Sequence, residues 1–185
     1  MKLYSNRFAP SPRRLRIFLA EKGLEIPTVE VDLAGNENLD PAFLAINPLG
    51  ELPALVLDDG RVVTESIAAC RYLEALHPEP NLFGRDADER AVVDQWTYRV
   101  MFRLYEPVRQ AFRNTHRFWA DRIHQVPEFG ILARDAALAE LKALDTELAG
   151  REFLAGARYT FADITALCAI DFGKPSDIRV TGALP

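Results

Sequence analysis

The stretch that decides the fold is INPLGELPALVLDDGRVVTES, Ile46 to Ser66. Leu52–Leu57 and Arg61–Thr64 are apolar, β-branched runs, and the Asp58–Gly60 sequence "DDG" between them supplies the glycine a hairpin turn needs. Ser66 follows the second run and begins a helical pattern that continues to about Leu76, so Ser66 is the expected N-cap. Pro53 stands at the front of the first strand. It cannot donate to a ladder there, so it belongs on an edge or at a first strand residue.

Upstream of this hairpin, Lys2–Ser5 reads as a short strand. Ser11 is the expected cap of a helix with Pro12 at its first position. Leu15, Phe18 and Leu19 repeat at helical spacing, and Gly23 closes the run. Arg13, Arg14 and Arg16 read as its solvated face. Thr28–Leu33 reads as a strand with Val29, Val31 and Leu33 on one side, and Asp40-Pro41 as the start of a short helix. The order is β-α-β-α-β-β-α. The proline-rich "HPEPNLFG", His77–Gly84, is the best boundary, giving 1–78 as one domain, 79–84 as linker and 85–185 as a second, all-helical domain.

Beyond the linker, Asp86 with Glu89 opens a long helix. Its apolar stripe is Val93, Trp96, Val100, Leu104 and Val108, and Pro107 is expected to kink it. Asn114–Val126 is irregular and aromatic. Pro127 starts a helix with Ile131, Leu138, Leu141 and Leu148 on its inner face. Thr160–Phe172 is apolar on nearly all sides, so it reads as a buried central helix, with Thr160 and Asp163 as a capping box that uses Asp in place of Glu.

Composition narrows the function classes. The chain has 185 residues, 49% hydrophobic and 26% charged, with a net charge of −5. No basic stripe with interleaved aromatics is present, which argues against a nucleic-acid surface. No apolar run is long enough for a membrane span, and no secretory leader pattern opens the chain, so a cytoplasmic protein is expected. Cys70 and Cys168 lie in apolar helical runs and read as buried thiols rather than a disulfide. His77, His116 and His124 share no ligand spacing with Cys or carboxylates, so no metal is expected.

Three places carry chemistry. A cis proline at position 53 would leave the Leu52 backbone open to pair with an extended peptide. Glu65 and Ser66, at a strand-to-helix junction, offer an anion site for a carboxylate and a carboxylate for an amine. The Ser11-Pro12 helix start offers a positive dipole end to a thiolate. Together they suit a small peptide with a thiol in its middle, which describes glutathione.

"LYSNRFAPSPRRLRIFLAEKGL", "INPLGELPALVLDDGRVVTESIAACRYLE" and "YTFADITALCAIDF" resemble cytosolic glutathione transferases of the bacterial and fungal-type branch, over nearly the whole chain. The resemblance implies a thioredoxin-like α/β N-terminal domain, an all-α C-terminal domain, an active site between them and a homodimer engaged in detoxification. It assigns glutathione contacts to the Leu52 backbone, cis-Pro53, Glu65 and Ser66, and a structural role to Thr160 and Asp163.

In serine-type members of that family the thiolate partner lies five residues before the first arginine of the helix. Counting back from Arg14 reaches Ala9, with Ser11 two residues later. Ser11 is therefore a candidate by type and place but not by register, and its alternative role is helix capping. Helix-start N–H groups assisted by a second-domain side chain, His116 or Asn114, form the other version of activation. Tyr105, Phe112, Phe118 and Trp119 are candidates for an apolar second-substrate pocket or for core. Glu51 stands where many relatives have a lysine that meets the glycyl carboxylate. "GKPSDIRVTG" places Pro175 where helix is expected to continue, and the last family helices are expected to be lacking. The expected activity is glutathione transfer to small electrophiles. The alternatives are glutathione-dependent peroxide or disulfide reduction, and a non-catalytic binding or dimerisation module.

Overall fold

A computed structural model describes residues 1–180. The chain divides into two units, Met1–Leu82 and Phe83 onward.

In the first unit, β1 (Lys2–Ser5), β2 (Thr28–Glu30), β3 (Ala54–Val56) and β4 (Val62–Thr64) form one sheet in the order β2-β1-β3-β4. β1 pairs parallel with β2 through Tyr4 opposite Val29, and antiparallel with β3 through Leu3 opposite Leu55. The β3–β4 hairpin sets Leu55 against Val63 and turns at Gly60, whose φ is +85°. Helices α1 (Pro10–Glu21), α2 (Pro41–Leu44) and α3 (Ser66–Leu76) complete the unit, which is thioredoxin-like. Its core holds Leu3, Leu15, Phe18, Leu55 and Leu73, all fully buried. Around Val31, Phe43 and Ala54 a smaller cluster gathers Tyr4, whose ring meets Phe43 edge-on at 5.8 Å.

β2 is shorter than the sequence pattern suggests. It ends at Glu30, and Val29 is exposed while Val31, just past the strand, is buried. The reason is local: Asp32 and Glu37 pin a turn, the Asp32 N–H donating to the Glu37 carboxylate at 2.7 Å.

The second unit is helical: α4 (Ala87–Arg99), α5 (Glu106–Thr115), α6 (Pro127–Leu148) and α7 (Phe161–Phe172). Asp86 caps α4 by accepting from the Glu89 N–H at 2.8 Å. The stripe Val93, Trp96, Val100, Leu104 and Val108 is buried as expected. Pro107 causes no simple break. A π-helical turn over Val100–Tyr105 carries α4 into α5, and Pro107 falls in the first turn of α5. Widening the ladder just before a proline accommodates its ring and its missing donor.

α6 turns a different face inward from the one its large residues suggest. Ile131 and Leu138 are exposed, while Gly130, Ala133, Ala137, Leu141 and Leu144 are buried. Small residues let α6 approach α5 closely: a Cβ on Gly130 would lie 2.6 Å from the Thr115 Cγ2. α7 carries the complete capping box of Thr160 and Asp163, and Phe161, Ile164 and Ala169 are fully buried. After Gly173 the chain makes a 3₁₀ turn, Lys174–Ser176, so Pro175 does stop the helix. Residues 181–185, the end of the second expected domain, lie outside the described residues. Cys70 and Cys168 are buried and not joined in a disulfide. No helix among the described residues is long and apolar enough to cross a membrane.

Candidate active site

The connection from β1 to α1 is held rigidly. Asn6 is buried, its amide donates to the Val31 carbonyl at 3.0 Å, and its Oδ1 accepts from the Phe8 and Ala9 N–H groups at 3.0 and 3.1 Å. Arg16 donates to the Asn6 and Arg7 carbonyls, both at 2.8 Å. α1 begins two residues earlier than expected: Pro10 takes the first helical position, and Ala9 is the N-cap with no side-chain cap bond. Ser11 is thus not the cap but sits inside the first turn between two prolines. Prolines carry no N–H, so Ser11 is the one residue of Pro10–Pro12 that offers a backbone donor. The donor set of this helix end shrinks to the Ser11 N–H and hydroxyl.

The Leu52–Pro53 peptide bond is cis. The segment leading to it is pinned from inside. Buried Asn47 donates to the Glu51 carbonyl at 2.7 Å and accepts from the Leu49 N–H at 3.2 Å. Asn38 donates to the Gly50 carbonyl at 2.8 Å. Gly50 has φ +63°, and a Cβ there would stand 3.0 Å from the Asn38 carbonyl oxygen, so the turn requires glycine.

Glu65, rather than Ser66, occupies the N-cap of α3, with φ +61° and ψ 116° and no side-chain cap bond. A non-glycine residue at positive φ is a strained arrangement of the kind that gathers at binding sites. Because Glu65 turns the chain this way, Ser66 becomes the first helical residue. The N–H groups of Ser66, Ile67 and Ala68 then form the first turn, an arrangement suited to an anion.

Arg14 is the residue the sequence reading missed. It is not on a solvated face: at 1% exposure it is among the largest fully buried side chains, and its Nη1 donates to the Ser66 Oγ at 2.5 Å. The signal was available, since Arg14 lies four residues before Phe18 and so shares its inward face.

Ser11, Leu52, Pro53, Glu65 and Ser66 line one open pocket, joined by Asn47, Leu49, Glu51 and Thr64. The donors of two helix starts and the carboxylates of Glu51 and Glu65 share it, a mixed lining suited to a zwitterionic peptide end. His116 belongs to the second unit. Its Nδ1 accepts from the Phe118 N–H at 3.2 Å and its ring stacks on Phe112 at 4.6 Å. Asn114 is buried and ties α5 to the start of α6, accepting from the Val126 N–H at 3.0 Å. Tyr105 is core, packed on Phe172 at 5.9 Å, whereas Phe112, Phe118 and Trp119 are half-buried and packed on one another.

Comparison with known proteins agrees with this architecture. The family model described as "Glutathione S-transferase, N-terminal domain" matches residues 8–76, and "Glutathione S-transferase, C-terminal domain" matches 132–185. Glutathione S-transferase 2 of Saccharomyces cerevisiae is 34% identical over 184 residues, covering 97% of this chain and 79% of that protein. Among solved structures, a glutathione S-transferase domain-containing protein of Marinobacter aquaeolei superposes with a TM-score of 0.93 at 35% identity, covering 100% of this chain and 92% of that one. Gtt2 of Saccharomyces cerevisiae gives 0.93 at 32% identity, covering 100% and 90%. A thioredoxin-like unit with a cis proline beside a strained helix start, followed by a helical unit, places the chain in a class of thiol-peptide enzymes. The chain belongs to the glutathione S-transferase family.

Proposed function

We propose that this protein binds glutathione in the pocket of the first unit, ionises its thiol and directs the thiolate at an electrophilic carbon of a small apolar substrate. The observation that carries the reading is the convergence of Ser11, Leu52–Pro53 and Glu65–Ser66 around one pocket. The Leu52 backbone pairs with the cysteinyl residue, Ser66 and the α3 N–H groups take the γ-glutamyl carboxylate, and Glu65 takes its amine. The Ser11 hydroxyl donates to the thiolate, and His116 is the second-unit candidate to assist. The thiol proton leaves to solvent. A carbon–sulfur bond then forms as the leaving group departs with its electron pair, or as the thiolate adds to an activated double bond.

A free thiol has a pKa of about 8.5. Lowering it by roughly two units makes thiolate dominant at neutral pH and corresponds to about 2.7 kcal/mol. With Pro10 and Pro12 silent as donors, Ser11 is the residue at this helix end able to supply that stabilisation through both its N–H and its hydroxyl. A homodimer acting in the cytoplasm, with a role in detoxification, completes the proposal. Ala9, which caps α1 without a side-chain bond and falls in the serine register, favours the second reading, a non-catalytic glutathione-binding module.

The test is ultraviolet titration of the glutathione thiolate with and without protein, in wild type and Ser11→Ala. A lowered thiol pKa that is lost in Ser11→Ala supports the catalytic reading with Ser11 in this role. A lowered pKa retained in the variant moves the role to the backbone N–H and the second unit. Binding with no lowering at all favours the module.

A further inference from the structure

The geometry points to Arg14 as the positioning residue that fixes Ser66 as a hydrogen-bond donor to the carboxylate of the bound peptide, an inference that rests on the glutathione reading above. Arg14 lies three residues after Ser11 on the same side of α1, and its side chain reaches the first turn of α3. There its Nη1 meets the Ser66 Oγ at 2.5 Å, with Arg14 and Ser66 1% and 3% exposed. One buried guanidinium therefore joins the two helix starts that flank the pocket.

The direction of this hydrogen bond matters. A guanidinium only donates, so Ser66 must accept through an oxygen lone pair. A hydroxyl has one proton, and here that proton cannot point at the arginine. It is turned to the other side of the oxygen, where Ser66 lines the pocket. Accepting from a cation also polarises the O–H and strengthens it as a donor, because hydrogen bonds in series reinforce one another where water is excluded. The hydroxyl is thus set before the ligand arrives, and less orientational freedom is lost on binding. The positive end of α3 acts on the same carboxylate. A buried arginine is a costly way to fill space, since an apolar side chain of similar length carries no desolvation penalty. Its place beneath an anion site gives that cost a function.

The discriminating ligand is γ-aminobutyryl-cysteinyl-glycine, which is glutathione without the α-carboxylate of its γ-glutamyl end. Dissociation constants for both peptides are measured by calorimetry with the full chain, in wild type, Arg14→Met, Ser66→Ala and the double variant. Wild type is expected to prefer glutathione by about tenfold or more, the scale of a charge-assisted hydrogen bond. Arg14→Met is expected to lose most of that preference while holding the analogue within about twofold of wild type, on the same scale. Ser66→Ala is expected to lose the same preference, and the double variant to lose little more, because the two act in series. Full preference retained in Arg14→Met, or equal weakening toward both peptides, overturns the inference and leaves Arg14 a packing residue. If Arg14→Met does not fold, Arg14→Gln, which is polar but brings no cation to the Ser66 hydroxyl, replaces it. A reduced preference with unchanged analogue binding then supports the inference, and an unchanged preference overturns it. Failure of the wild type to bind either peptide overturns the glutathione reading itself.

Discussion

Lys22 and Glu74 bring their charges to 2.5 Å of one another, with the lysine side chain wholly buried. The same Nζ donates to the His77 and Pro80 carbonyls at 2.8 and 2.6 Å, and Glu74 accepts from the Leu82 N–H at 2.9 Å. The end of α1, the last turns of α3 and the proline-rich stretch after it are thus tied at one point. Removing one partner of a buried pair strands the other charge, which costs more than the pair contributes. Lys22→Met is expected to destabilise the protein by about 3–5 kcal/mol, read from the midpoint of urea unfolding. A loss under about 1 kcal/mol would place this pair with the weak exposed ones.

Asp163 has a comparable role in the second unit. Its Oδ2 accepts from the Thr160 N–H at 2.8 Å and the Thr160 hydroxyl at 3.1 Å, while its Oδ1 accepts from the Leu154 N–H at 2.9 Å. Three donors converge on one carboxylate, and Thr160 is fully buried. Asp163→Ala leaves those donors unmet as well as removing a cap, so a loss of about 2–4 kcal/mol is expected. Asp163→Asn, which keeps one of the two acceptor oxygens but turns an NH2 toward the other donors, is expected to lose less. Equal losses in the two variants would show that the cap needs both carboxylate oxygens as acceptors.

Much of this molecule was legible in its sequence because local signals and tertiary packing agree. The Asp58–Gly60 turn, the Val93-to-Val108 stripe and the Thr160/Asp163 box are local patterns that packing has no reason to override. What the sequence hid depends on partners distant in the chain. Arg14 looks like a surface residue until Ser66 is placed beside it. On α6, Leu132 and Ile131 are larger and more apolar than Gly130 and Ala133, yet the small residues face inward. The deciding quantity there is the distance of approach to α5 rather than hydrophobicity. At the site, residue types were readable but the helix starts were off, by two residues at α1 and by one at α3, because Pro10 and the positive φ of Glu65 set those starts.

Glu89 gives the second unit a pH dependence. The Arg158 guanidinium, 2.6 Å away, and the Arg85 N–H, at 2.8 Å, hold its carboxyl below the ordinary value of 4.5. The folded pKa is depressed, so the stabilisation is fully present above 4.5 and is lost as pH falls through the lower folded value. Glu89→Gln is expected to lower stability by about 1 kcal/mol at pH 7, with the gap to wild type closing as the pH is taken well below 4. A gap that stays constant down to acid pH would mean the loss comes from packing and not from the charge.

Glu51 is where the pocket works against its own ligand. It lines the pocket with Ser66 and Pro53, and in the proposed pose the glycyl carboxylate of glutathione lies on this side. Two carboxylates facing one another across a solvent-exposed rim repel weakly, on the order of 1 kcal/mol or less. Glu51→Lys replaces repulsion by attraction, so glutathione is expected to bind several-fold more tightly at low ionic strength. The gain should shrink as salt rises, because charges exposed to solvent are screened over about 10 Å at 0.1 M. Glu51→Gln removes only the repulsion and should fall between the two. A gain that persists unchanged at high salt would trace to a direct buried contact. No gain at any salt would place the glycyl end away from Glu51 and require a different orientation of the peptide in the pocket.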